Sequence, residues 1–220
     1  MKILAIKNHR AEGLGYIEEL FREKGIEYEY CEAWNGERKV DGDGYIILGG
    51  PMGVYEAEKY PFLKWEMDLI AKNYDKKPIL GVCLGSQLIA GSFGKRVYPY
   101  KKEIGWFRVE KIHEDELFRG FPEKPEVFQW HGDTFELPDN AAMLFSGKDV
   151  PNQGFRIGEA VGIQFHIEMT LELIEKWVKT TEGVPESIIE ESRERIEEHN
   201  RLCEIMVDNL INYLEKKHKV

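Results

Sequence analysis

The first half of the chain alternates short apolar runs with amphipathic stretches. Runs rich in β-branched residues indicate buried strands, whereas apolar positions three and four residues apart indicate helices. The predicted strands are KILAIK (2–7), IEYEYCEA (26–33), GYIILGG (44–50) and PILGV (78–82). The predicted helices are GYIEELFREKG (15–25), FLKWEMDLIAKNY (62–74) and SQLIAGSF (86–93). Because alternating strands and helices build parallel sheets, this half predicts a doubly wound α/β fold.

The pattern changes near residue 95, where short strand candidates follow one another between Pro, Gly and Asp turns. These candidates are 105–112, 126–131, 141–147, 154–158 and 160–166. We interpret them as antiparallel additions to a mostly parallel, flavodoxin-like sheet flanked by helices.

Helical periodicity returns in the last fifty residues, at 170–179 and in a charged segment from about 185 to 217. The second half of that segment carries an apolar stripe formed by Leu202, Met206, Leu210 and Leu214. We predict one domain in residues 1–180, with residues 181–220 as a helical extension packed on it.

Composition narrows the class of protein. Forty acidic and thirty basic residues give a net charge of −10, which disfavours a nucleic-acid partner that needs a basic face. Three widely spaced cysteines, without a CxxC pair, predict neither a disulfide framework nor a zinc ribbon. No run resembles a signal peptide or a membrane span, so we expect a cytoplasmic protein. The excess of Glu and Lys over Asp and Arg is a bias of heat-adapted proteins.

The stretch GVCLGSQ (81–87) places Cys83 where a predicted strand turns into a predicted helix. Gly81 and Gly85 would clear this turn, as in a nucleophile elbow, and the positive helix end would favour a reactive thiolate. The alternative is a small buried side chain at a strand end. In LGGP (48–51), the neighbouring strand ends with a glycine pair whose N–H groups could stabilise an oxyanion, although a plain β-turn would look the same.

In AVGIQFHIE, strand alternation places Gln164, His166 and Glu168 on one face if the strand persists that far. A histidine and a carboxylate two residues apart make a base with an orienting partner, whereas a surface pair is the alternative. Together with Cys83 they favour a Cys-His-Glu triad. Zinc binding by Cys83, His131 and His166 lacks a closely spaced ligand pair, so we predict no metal and no other cofactor.

These stretches together resemble the class I glutamine amidotransferases. The resemblance lies in GGP (49–51), GVCLGSQ (81–87), WHGD (130–133) and FHIE (165–168), in family order. It is strongest to the amidotransferase domain of GMP synthetase. The chain departs from the family at Ile167, where proline is usual. Residues after 180 carry no Gly-rich ATP-pyrophosphatase signature, so we expect a stand-alone protein.

The resemblance implies that Cys83 attacks the side-chain amide of glutamine and forms a γ-glutamyl thioester, which water hydrolyses to glutamate after ammonia has left. It implies that His166 acts as base and acid and that Glu168 orients it. The implied oxyanion donors and substrate contacts are the N–H groups of Gly50 and Leu84, the side chain of Gln87, and the backbone of Gly132 and Asp133.

Three functions stay open. The first is a glutaminase that supplies ammonia to a separate synthetase. The second is a hydrolase of γ-glutamyl peptides or amines, and the third a non-catalytic binding or regulatory protein on the same scaffold. A related protease or chaperone group is disfavoured because Leu84, rather than histidine, follows the cysteine. The expected ligand is glutamine or another γ-glutamyl small molecule, and the C-terminal helix leaves a homodimer open.

Overall fold

Nine strands form one mixed sheet in the computed structural model, which describes residues 1–218. The parallel strands are β1 (Lys2–Lys7), β2 (Glu27–Glu32), β3 (Gly44–Ile47), β4 (Ile79–Val82) and β9 (Ala160–Ile163). The other strands are β5 (Val97–Lys111), β6 (Glu126–Phe135), β7 (Ala142–Gly147) and β8 (Gly154–Ile157). The helices are α1 (Tyr16–Glu23), α2 (Pro61–Asn73), α3 (Leu84–Ser92), α4 (Leu171–Thr180) and α5 (Ser187–His218). The strand order is β2-β1-β3-β4-β9-β8-β7-β5-β6.

The prediction that every strand after residue 95 is an antiparallel addition is wrong for β9. This strand pairs in parallel with β4, from Ala160 opposite Ile79 to Ile163 opposite Val82. It pairs antiparallel with β8 on its other side. All four residues of β9 are buried, as expected of a strand inside a parallel sheet that is covered on both faces. A short apolar run does not reveal the direction of its neighbour, so the sequence pattern left this pairing undetermined.

Helices cover both faces of the parallel centre. In β1, Ile3 and Ala5 belong to the core beneath α1 and α5, whereas Leu4 and Ile6 belong to the core beneath α2 and α3. This alternation follows from the two-residue period of a strand. Burial of each leucine or isoleucine among them stabilises the fold by about 1.5–3 kcal/mol.

The two C-terminal helices pack on this scaffold. Helix α4 begins after Thr170, whose side-chain oxygen accepts a hydrogen bond from the N–H of Leu173 at 3.2 Å. The predicted apolar stripe of α5 is buried against the core that includes α1. No helix within residues 1–218 is long and apolar enough to cross a membrane. Residues 219 and 220 of the predicted extension lie outside the described residues.

The carboxyl ends of β1, β3, β4 and β9 meet at one edge of the sheet. Ligands of open α/β sheets bind beyond this edge, because the loops that leave the strands surround a crevice there. The segment after β9 is tied to β6, since the N–H of His166 donates to the carbonyl of Phe128 at 2.9 Å. Strands β5 and β6 therefore bring a further set of side chains to the same edge.

Candidate active site

Cys83 occupies a sharp turn between β4 and α3. Its backbone has φ 51° and ψ −108°, in the left-handed region that non-glycine residues rarely adopt. A methyl group on Gly81 would lie 2.5 Å from the backbone of Gly85, and one on Gly85 would lie 2.1 Å from the carbonyl oxygen of Ile47. Neither position can accept a side chain without moving backbone. The prediction that these two glycines clear the turn is therefore confirmed.

His166 and Glu168 form a buried pair next to this turn. Nδ1 of the imidazole lies 2.6 Å from Oε1 of Glu168, and both side chains are 2% exposed. The strand does not persist to these residues, since β9 ends at Ile163, so strand alternation is not what brings them together. The backbone pairing of His166 with β6 holds the segment in place instead.

The electrostatics of this pair favour a protonated imidazole. Burial on its own lowers the pKa of His166, but the charges of Glu168 and Cys83 outweigh burial and hold that pKa well above its usual value. An imidazole that carries a proton between a carboxylate and a sulfur can stabilise a thiolate and can later donate the proton.

The sulfur of Cys83 lies near polar groups besides His166. Nε2 of Gln164 lies 3.6 Å from Sγ, and the carbonyl oxygen of Trp130 lies 3.9 Å from it. Gln164 in turn accepts a hydrogen bond from Nε2 of Gln87 at 3.2 Å. Gln87 is thus linked to the thiol through Gln164 while it also lines the pocket.

The two predicted oxyanion donors are neighbours. A methyl group on Gly50 would lie 2.9 Å from Cδ2 of Leu84, so the loop after β3 and the first residue of α3 are in contact. Within residues 1–218, neither of their N–H groups has a hydrogen-bond acceptor. Free N–H groups beside a nucleophile are what an oxyanion requires. Their catalytic role stays a prediction.

His131 positions the backbone of Gly132 and Asp133. Its Nδ1 lies 3.0 Å from the carbonyl oxygen of Asp133, and its Nε2 lies 3.0 Å from Oε2 of the buried Glu103. Both ring nitrogens are therefore engaged, and His131 does not present a free ligand to the cysteine. No group of three or more metal-ligating side chains lies together within the described range 1–218.

A pocket of about 380 Å³ opens beside Cys83 and His166. One part of its lining comes from the loop after β3, from α3 and from the β5–β6 hairpin, and includes Gln87, Gly132 and Asp133. The other part comes from the β1–α1 loop and the end of α4. It comprises His9, Glu12, Trp177, Thr180 and Thr181. Cys83 and His166 thus border one cavity, and Glu168 contacts His166 behind it.

The β1–α1 loop, residues 8–15, also reaches the site, although no sequence pattern indicated it. A methyl group on Gly49 would touch three side chains at once: Cε1 of His166 at 3.2 Å, Oε2 of Glu12 at 3.4 Å and Cβ of Cys83 at 3.7 Å. Burial raises the pKa of Glu12 to about 7, with His166 lowering it and Glu168 raising it further. The signal that could have found Glu12 is its place just after β1, at the carboxyl edge of the sheet.

This loop is fastened to the candidate triad. The N–H of Tyr16 donates to the carbonyl of Glu168 at 2.8 Å. Gly15 has φ 51°, and a methyl group on it would lie 2.1 Å from the same carbonyl oxygen. Only glycine allows this close approach.

Helix α5 contributes a second residue that no sequence motif indicated. His199 is 1% exposed and packs against Trp106 with ring centroids 5.2 Å apart. Burial lowers the pKa of His199 to about 4, so its ring stays neutral beside Glu168 and His166.

The chain matches known proteins over most of its length. The family model for glutamine amidotransferase class-I matches residues 17–179. GMP synthase of Thermomicrobium roseum is 29% identical over 165 residues, which are 71% of this chain and 30% of that protein. A glutamine-hydrolysing GMP synthase subunit from Pyrococcus abyssi is 41% identical over 140 residues, which are 60% of this chain and 69% of that protein. The chain spans only 30% of the first of these proteins and 28% of the GMP synthase of Cytophaga hutchinsonii.

Solved structures share the fold. A glutamine amidotransferase from Thermotoga maritima matches with a TM-score of 0.88 and 38% identity over 98% of both chains. One from Methylobacillus flagellatus matches with a TM-score of 0.80, and at 23% identity it supports the fold alone. The predicted fold class is confirmed. Because the Thermotoga maritima match covers 98% of this chain, it includes α5.

Proposed function

The chain belongs to the class I glutamine amidotransferases, and we propose that it hydrolyses the side-chain amide of glutamine through a thioester on Cys83. The observation that carries the proposal is the buried His166–Glu168 pair, 2.6 Å apart, beside a cysteine on a glycine-framed turn. The proposed catalytic unit is residues 1–180, with α5 as an extension packed on it. The proposed steps use no metal and no cofactor.

In the first step the sulfur of Cys83 attacks the amide carbon of glutamine, and His166 holds the proton of the thiol. The N–H groups of Gly50 and Leu84 stabilise the oxyanion, each donor contributing about 10² to 10³ in rate. His166 then donates its proton to the leaving nitrogen, the C–N bond breaks, and ammonia departs. Positioned acid–base catalysis of this kind contributes about 10² to 10⁴.

In the second step water attacks the thioester. His166 takes a proton from the water, the C–S bond breaks, and the proton returns to the sulfur of Cys83. Glutamate leaves and the enzyme is restored. Glu168 supports the imidazolium in both steps, which the short contact with Nδ1 makes geometrically reasonable.

We assign the amino-acid end of glutamine to Gln87 and the backbone of Gly132 and Asp133, all of which line the pocket. The relative from Pyrococcus abyssi is one subunit of a GMP synthase, which supports a separate synthetase as the acceptor of the ammonia.

A second candidate is hydrolysis of γ-glutamyl peptides or amines by the same thioester chemistry. The pocket continues past His166 to His9, Thr180 and Thr181, which leaves room for a leaving group larger than ammonia. Comparing the kcat/KM for glutamine with that for γ-glutamyl dipeptides separates the two candidates.

The test of the shared chemistry is Cys83→Ala. We expect it to abolish release of ammonia or amine while circular dichroism shows an unchanged fold. A glutamine-analogue alkylator should add its mass to Cys83, which lines the pocket, and spare Cys31 and Cys203, which are buried away from it. Undiminished turnover by Cys83→Ala, or labelling of another cysteine instead, would contradict the proposal.

A further inference from the structure

Glu12 is a carboxyl at the active-site pocket to which the proposed mechanism gives no task. It lines the cavity, and its Oε2 reaches the same point above Gly49 as Cε1 of His166. Within residues 1–218 its carboxyl has no hydrogen bond and no ion pair with another side chain. Lys7, Lys176 and the His166–Glu168 pair act on it only through space.

An unpartnered carboxyl in such a place is unfavourable unless a ligand supplies the partner. Glu12 is half-buried at the edge of the pocket, so its carboxyl loses part of its hydration, and no protein donor within residues 1–218 replaces the lost hydrogen bonds. The loop that carries it is nevertheless well held: Asn8 Nδ2 donates to the carbonyl of Leu48 at 2.9 Å, and Tyr16 N–H donates to Glu168. The position of the carboxyl is therefore built into the fold.

The chemistry of the tetrahedral intermediate indicates what that partner is. The reacting carbon carries four substituents: sulfur, oxyanion, the chain to the amino-acid end, and the leaving nitrogen. Cys83 supplies the sulfur, the N–H groups of Gly50 and Leu84 take the oxyanion, and the part of the pocket with Gln87 takes the amino-acid end. The leaving nitrogen must face His166 to receive its proton, and Glu12 lies beside that ring.

We propose that Glu12 accepts a hydrogen bond from an N–H of the leaving nitrogen and so selects γ-glutamyl amides over γ-glutamyl esters. This inference rests on the proposed function. The substrate class it names is primary and secondary γ-glutamyl amides, whose nitrogen still carries N–H groups after it accepts the proton of His166. An ester oxygen carries no hydrogen of its own, and the one proton that it receives from His166 leaves none for Glu12.

The experiment compares glutamine with the γ-methyl ester of glutamate, because both form the same thioester. Removing the acceptor with Glu12→Met should lower kcat/KM for glutamine about 10- to 100-fold, the effect of one hydrogen bond to a charged group, and leave the ester rate nearly unchanged. Glu12→Gln keeps a neutral acceptor and should fall between wild type and Glu12→Met. Glu19→Gln, an exposed change on α1, is the control and should change neither rate.

A purely electrostatic role of Glu12 gives a different result. If its charge acts only on His166, Glu12→Met and Glu12→Gln will lower the amide and ester rates by the same factor, and the proposal is overturned. Unchanged rates for both substrates in both variants overturn it too. If wild type hydrolyses neither substrate and the alkylator does not label Cys83, the proposed function fails, and the role of Glu12 fails with it. If the alkylator labels Cys83 and the ester is hydrolysed, but Glu12→Met does not lower the amide rate more than the ester rate, only the role of Glu12 is refuted.

Discussion

Replacing Glu66 with glutamine should stabilise the protein at neutral and alkaline pH and leave its stability at pH 4 unchanged. Glu66 lies in α2 and is 0% exposed. Burial raises the pKa of its carboxyl from 4.5 to about 8, while the amide of Asn8 and the charge of Arg38 lower it by less. The folded protein therefore keeps this carboxyl protonated at pH 7.

The size of the effect follows from proton linkage. Below pH 4.5 the carboxyl is protonated in the folded and the unfolded chain, so its ionisation does not reduce the free energy of unfolding there. As the pH rises from 4.5 to about 8, only the unfolded chain ionises, and the free energy of unfolding falls by about 1.4 kcal/mol for each pH unit. The loss amounts to about 3 kcal/mol at pH 7 and about 5 kcal/mol above pH 8. Glutamine has nearly the same shape and no proton to lose, so Glu66→Gln should remove this loss.

Urea unfolding of wild type and Glu66→Gln at pH 4, 7 and 8.5 measures the difference directly. The gap between the two proteins should grow with pH by several kcal/mol. Asp68→Asn, an exposed change on the same helix, is the matched control and should follow the wild-type curve. A gap that is constant across pH, or a variant that is less stable than wild type at pH 8.5, would refute the reasoning.

Three further predictions concern the active site and its scaffold. Glu168→Gln should lower kcat for glutamine by about 10² to 10⁴, since His166 loses its charged partner; a kcat equal to wild type would contradict the triad. Gly85→Ala should sharply lower Tm or prevent folding, because its methyl group would lie 2.1 Å from a backbone oxygen, and circular dichroism that shows an unchanged Tm would count against this. Thr170→Ala removes the cap of α4 and should cost about 1 kcal/mol in urea unfolding, whereas no change would mean that the cap is dispensable.

The parallel centre of the fold and the cysteine turn could be predicted because their signals are local. Apolar periodicity located β1 to β4 and α1 to α3 to within a few residues. A side chain on Gly81 would collide with Gly85 in the same strand–turn–helix unit, and one on Gly85 would collide with the adjacent β3. The spacing of the two glycines in the sequence therefore indicates the sharp turn.

Strand direction and strand length were harder, because they depend on neighbours that are distant in sequence. The parallel pairing of β9 with β4 joins residues about eighty positions apart. The early end of β9 follows from the turn of residues 164–168 toward β6, where His166 pairs with Phe128. No periodicity within the segment itself reports that contact.

The parts of the site that the sequence concealed are those whose burial is created by tertiary packing. Glu12 lies in the stretch NHRAEGLG, where a charged residue between polar neighbours looks like a solvated loop. It is half-buried in a loop that Gly15 allows to approach the carbonyl of Glu168. His199 lies in a highly charged helix beyond residue 179, where the family match ends, yet it is buried beside Trp106. The surroundings of the candidate triad therefore depend on residues outside the motifs that carry the family resemblance.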